Sequence, residues 1–133
     1  MSFEIINPDS LGRPSGWNHG LLASAGGRVL FVAGQTAADA SGQVSGIGLA
    51  EQWDRALGKV LDVVRAAGGT PEHIGRLTVY VTDRTAYLAS RKQLGEIHRR
   101  HLGRHYPAMA LVEVTGLVHP DALVEIEATA VIP

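Results

Sequence analysis

The feature that most constrains this chain is the run Leu123 to Ile132, LVEIEATAVI, near its C-terminus. Side chains alternate along a β-strand, so Val124, Ile126, Ala128, Ala130 and Ile132 share one face, and Leu123, Glu125, Glu127, Thr129 and Val131 the other. The first face is wholly apolar and must lie against a core. The second mixes aliphatics with two carboxylates, which is unusual for a solvent face and is the first hint of a site. Ala108 to Val114 has the same strand-forming composition, and Gly116 with His119-Pro120-Asp121 supplies a connector. A strand, turn, strand unit is therefore predicted for this end of the chain.

Upstream, Phe3 to Ile6 reads as a short first strand ended by Asn7-Pro8. The loop Asp9 to Gly20 holds Arg13, Trp17, Asn18 and His19, a richer set than a connector needs, and loops carry function disproportionately. Leu21 to Ala25 and Arg28 to Ala33 read as a hairpin about Gly26-Gly27, because paired glycines supply the positive φ angles of tight turns. The small and polar residues from Thr36 to Gly48 predict a flexible loop near the mouth of a site. A helix is predicted over Leu49 to Ala67, where Leu49, Trp53, Leu57, Val60, Leu61 and Val64 recur at helical spacing and Gly68-Gly69 before Pro71 ends the run. Thr70 to His73 reads as a capped single turn and Leu77 to Thr82 as a strand. Thr85 to Leu102 reads as a second helix that buries Tyr87, Leu94, Ile97 and His101.

A chain of 133 residues fits one domain, residues 1–133. Its net charge of −1 is spread along the sequence, so no overall field favours nucleic acid or a membrane surface. The absence of cysteine excludes disulfides, thiolate catalysis and cysteine metal sites. The N-terminal residues show no basic segment followed by an apolar run, and no stretch reaches the roughly 18 apolar residues of a membrane span, so a cytoplasmic protein is expected. His98, His101 and His105 have metal-like spacing, but no carboxylate accompanies them locally and basic groups at a helix C-terminus are favoured by the dipole. No metal and no cofactor are expected. The same basic run is one helix end, short of the broad stripe with exposed aromatics that single-stranded nucleic acid requires.

The order of elements gives an α+β protein with a mixed sheet of about six strands and two helices on one face. Two helices leave the other sheet face uncovered, and that face carries Tyr80, an aliphatic set from Val29 to Ala33, and part of Met109 to Val112. It is too apolar for water. Self-association that buries it is predicted.

The pattern Tyr106-Pro107-Ala108, then Val112-Glu113-Val114, then Val124-Glu125-Ile126-Glu127-Ala128 resembles the closing signature of the RidA/YjgF superfamily, also labelled endoribonuclease L-PSP-like. Ile6-Asn7-Pro8, Leu30 to Gln35, Ala66 to Gly69 and Leu77 to Asp83 are similar to family blocks in family order. The resemblance implies a chorismate-mutase-like fold and a homotrimer whose sheets form a central barrel. It also implies small-metabolite sites in the clefts between subunits, where hydrolytic members convert an imine or enamine to a 2-keto acid and ammonia. Glu125 matches the family glutamate that positions water. Trp17 falls where many relatives have a tyrosine lining the cleft, beside His19, which can polarise a carbonyl or shuttle a proton.

Hydrolytic relatives place an arginine directly after the Pro-Ala pair, where it binds the substrate carboxylate bidentately. Here that position is Met109. Arg91, which aligns with a cleft asparagine of some relatives, and Arg13 are the substitutes available. Gly34 and Gln35 end a strand and offer free backbone groups to a ligand. The expected substrate is thus not a standard 2-imino acid. The alternatives are a non-catalytic small-ligand binder or regulator using the same cleft, and an RNA-cleaving factor.

Overall fold

The structure, a computed structural model, describes residues 3–44 and 47–133; Ser45 and Gly46 of the predicted Thr36–Gly48 loop lie outside them. In chain order the described elements are β1 (Glu4–Ile6), β2 (Gly20–Leu22), β3 (Arg28–Gln35), α1 (Leu49–Ala66) and β4 (Ile74–Val81), followed by α2 (Arg84–Ala89), α3 (Arg91–Leu102), β5 (Ala108–Glu113) and β6 (Val124–Ile132). The last strand is central. β6 lies between β3 and β4 in a sheet of order β3-β6-β4-β5, antiparallel to both, while β4 and β5 run parallel.

The alternation along β6 places the core as its sequence requires. Val124, Ile126, Ala128, Ala130 and Ile132 are all buried, whereas Glu125, Glu127, Thr129 and Val131 are half-buried on the opposite face. Against the apolar face lie the predicted stripe of α1, Leu49, Trp53, Leu57, Val60, Leu61 and Val64, and from α3 Leu94, Ile97 and Leu102. Both helices therefore cover one side of the sheet. Each fully buried large apolar side chain contributes about 1.5–3 kcal/mol, so this single cluster is the main source of stability.

The ends of α1 follow their residues. Gly68 adopts φ +85° and Gly69 N–H bonds Val64 O at 2.9 Å, the left-handed cap that a residue with a Cβ would resist. Thr70 to His73 forms the expected short capped turn, in which the His73 Nδ1 accepts the Thr70 N–H at 2.9 Å.

Four expectations are corrected. The six strands divide into the four-stranded sheet and a separate β1–β2 ribbon. The segments around Gly26-Gly27 are accordingly not a hairpin: Gly26 does turn the chain at φ +86°, but β2 pairs with β1 and β3 with β6. Turn chemistry specifies a reversal, not the partner, and the β6 edge offered β3 a longer apolar ladder. Likewise β5 and β6 are consecutive but not neighbours, because β4 inserts between them. The helix expected over Thr85 to Leu102 is broken at Ser90, whose Oγ donates to Ala86 O at 2.8 Å and competes with the helical ladder.

Candidate functional site

The loop that carries Trp17 is held by amide side chains. Asn18 donates through Nδ2 to Tyr106 O at 2.6 Å and accepts from Asn7 Nδ2 at 2.8 Å, and the Asn7 Oδ1 takes the His19 N–H at 2.7 Å. These bonds fix the loop against the start of β5, where Asn18 forms an isolated bridge to Ala108. Trp17 is thereby aimed at a groove of about 760 Å³ between α3 and the sheet, lined also by Arg91 and Met109. The volume falls within the range of small-ligand sites.

Met109 reaches the groove because it faces the helices, in register with Leu77 of β4. Arg91 opens α3, immediately after the Ser90 break. The groove also contains Tyr87, stacked on Trp53 at 5.9 Å, and Tyr106, stacked on His98 at 4.9 Å with 9° between the ring planes. Burial pushes the His98 ring below the ordinary imidazole value, so it is the neutral form that donates from Nε2 to His105 O at 2.9 Å.

The remaining predicted residues do not line this groove. His19 packs edge-on to Trp17 at 4.6 Å and bonds Gly12 O at 3.2 Å, behind the indole. Arg13 is exposed in the preceding turn. No described residue of the Thr36–Gly48 loop lines it either; that loop is tied to α1 by Lys59 Nζ, which donates to Thr36 O and Ala38 O at 2.9 and 2.8 Å.

Glu125 lies on the opposite side of the sheet, against Gly34, whereas Gln35 is in register with the core residue Ile126 and so sits on the helix side without lining the groove. A register shift between Val32 and Gln35 bulges β3 opposite Glu127. Within the bulge the Gly34 Cα meets the Glu125 side chain so closely that a Cβ there would stand 2.8 Å from its Cδ. The Gln35 side chain returns to its own strand, donating to Ala33 O at 3.1 Å. Next to them Tyr80 donates its hydroxyl to Glu127 Oε1 at 3.1 Å, which raises the Tyr80 pKa. In one copy the candidate residues thus form two half-sites: a groove with Trp17, Arg91 and Met109, and a carboxylate face with Gly34 and Glu125.

The histidines with metal-like spacing have separate partners. His98 bonds His105 O, His101 bonds Asp54 at 2.6 Å and His105 bonds Ile74 O at 2.6 Å. Among the described residues no group of three His, Cys, Asp or Glu is arranged to hold a metal, and no helix is long and apolar enough to cross a membrane. Arg99, Lys92 and Tyr87 also line the groove and are not evident as site residues from the sequence. A signal for Arg99 exists in the spacing Arg91-Gly95-Arg99, which places two guanidinium groups along one helix face.

Residues 13–132 match the profile of the family Endoribonuclease L-PSP. A RutC family protein of Pyrococcus abyssi is 30% identical over 132 residues, 98% of this chain and 98% of its own. The human 2-iminobutanoate/2-iminopropanoate deaminase is 29% identical over 105 residues, 78% of this chain and 73% of its own. Among solved structures, a protein of unknown function of the Rid family from Yersinia pestis matches with a TM-score of 0.85 and 34% identity, covering 99% of this chain and 100% of that one. The chain belongs to the RidA/YjgF superfamily, some of whose members are imine deaminases.

Proposed function

We propose that this chain forms a single-domain homotrimer in which the groove of one copy is closed by the carboxylate face of the next, and that the joined site hydrolyses an imine or enamine of a small metabolite. The observation that carries the reading is the close packing of Glu125 against Gly34, a carboxylate set on bare backbone on the sheet face that the helices leave uncovered. In the reaction Glu125 takes a proton from a water as its oxygen adds to the C=N carbon. That proton passes to nitrogen to give a carbinolamine, whose hydroxyl proton then moves to nitrogen as the C–N bond breaks, so that ammonia leaves and the carbonyl remains.

Met109 cannot bind a carboxylate, so the small 2-imino acids named for the human relative are poor substrates here, and larger unsaturated compounds take their place. The test generates imines in situ with an amino-acid oxidase and follows ammonia release. Turnover of bulky imines is expected to exceed that of 2-iminopropanoate, and Glu125→Gln to lower it about 100-fold or more. Binding of ligand without turnover of any imine would leave a non-catalytic binder. Full activity on 2-iminopropanoate would show that Met109 sets no specificity.

A further inference from the structure

The groove holds three cations, Arg91, Lys92 and Arg99, and no carboxylate. Elsewhere on the two long helices the arginines have acidic partners. Arg55 pairs with Glu51 at 3.2 Å, Arg65 with Asp62 at 4.0 Å and Arg100 with Asp54 at 3.1 Å. Among the described residues neither Arg91 nor Arg99 joins an ion pair. The arginines that face the groove are therefore the ones left without a carboxylate.

Their placement is specific. Arg91, Gly95 and Arg99 succeed one another along one side of α3, four residues apart. The Arg99 Nη1 lies 3.8 Å from where a Cβ on Gly95 would sit, so its guanidinium folds back along the helix toward Arg91. That glycine weakens the helix and keeps the floor between the two groups low. The rest of the lining includes Met109, Leu94 and the rings of Trp17, Tyr87 and Tyr106, beside the polar Ser15 and His98.

Resting on the reading of this groove as the metabolite site, we infer that Arg91 and Arg99 bind the carboxylate of an aromatic or conjugated ligand above Gly95, while Met109 and the surrounding rings take its plane. Two forks with no counter-charge in their own copy can meet one carboxylate from two sides, and the aromatic walls and polarisable thioether suit a flat apolar body. The anchor has moved from the strand to the helix. Loss of the arginine after Pro-Ala then changes the orientation and size of the ligand and keeps the requirement for an anion.

Cinnamate and its neutral isostere cinnamamide test this on the assembled full chain, by calorimetry and by quenching of the tryptophan fluorescence. Cinnamate is expected to bind at least tenfold more tightly than cinnamamide. Arg91→Gln and Arg99→Gln should each weaken cinnamate about tenfold or more without changing cinnamamide. Arg91→Lys, which keeps the charge but loses the fork, should recover part of the loss. Gly95→Leu, whose Cβ meets only Arg99 within 4 Å, should abolish binding while the fold is kept, as read by circular dichroism. Equal affinity for the two probes, no binding of cinnamate at millimolar concentration, or indifference to both glutamine substitutions overturns the inference. Imine turnover measured separately distinguishes the two proposals: hydrolysis of small or neutral imines alongside any of those results removes the anion anchor and leaves the proposed function standing.

Discussion

His98 shows how one half-buried ring organises a wall of the groove and couples it to pH. It stacks on Tyr106 and donates to the carbonyl of His105, and desolvation, the largest influence on it, lowers its pKa from the ordinary 6.5 despite the favourable bond to that carbonyl. The unfolded chain therefore takes up this proton at a higher pH than the folded one. Between the two pKa values the unfolded state binds more protons, so stability rises with pH. The contribution of His98 is fully present above about pH 6.5 and is lost as the pH falls toward the folded value, at most about 1.4 kcal/mol for each pH unit of that window. Urea unfolding at pH 5 to 8 checks this. His98→Phe, which keeps a ring for Tyr106 but cannot titrate, should be less stable at pH 8 and show a flatter decline below pH 6.5. An unchanged slope would place the proton uptake elsewhere.

At the scale of elements, the packing of α1 depends on one polar residue among its apolar stripe. Gln52 is 1% exposed, and its amide donates to Ile47 O at 3.0 Å and Asp121 O at 3.2 Å while its Oε1 accepts the Leu123 N–H at 2.9 Å. It ties the helix to the chain entering β6, the strand on which the sheet is built. Gln52→Leu keeps the volume but strands a buried N–H and two carbonyls, and should lower the unfolding free energy by about 3 kcal/mol in urea titrations. A change below about 1 kcal/mol would mean that water replaces the amide.

The apolar stripe of α1 and the two faces of β6 were legible because periodicity reports which side of an element is buried. Gln52 was not, because two of its three partners lie 69 and 71 residues away in sequence. Strand partners were hidden for the same reason: Gly26 marks where the chain turns, but the choice of β1 for β2 is made by the Asn7 and Asn18 side chains. Trp17, Arg91 and Met109 were found through family resemblance and do share a groove, whereas Arg99 stood inside a basic run that reads as a solvated helix end.

For the whole molecule the decisive asymmetry is between the two sides of the sheet. The helix side is covered by α1 and α3 apart from the groove, while on the other Phe31 is 80% exposed, Val29 56% and Val112 43%. Around Phe31 a shallow depression of about 360 Å³ is lined by Arg76, Tyr80, Glu127 and Thr129, so apolar and ionisable groups lie together where neither a core nor a solvent face would combine them. Covering this surface with copies of itself stabilises the chain by about 1.5–3 kcal/mol for each large side chain fully withdrawn from water. In the proposed trimer it would also bring Glu125 to a neighbour, which one copy alone cannot do. Phe31→Glu tests both consequences, because it sets a carboxylate near Glu127 in every copy and removes the largest exposed ring. Sedimentation velocity should show the wild-type chain as a trimer and the variant as a single copy, with imine turnover lost and cinnamate bound more weakly once the groove has no neighbour to close it. A wild-type chain that sediments as a single copy, or a variant that stays trimeric at full activity, would separate the exposed face from assembly and leave Glu125 without a route to the groove.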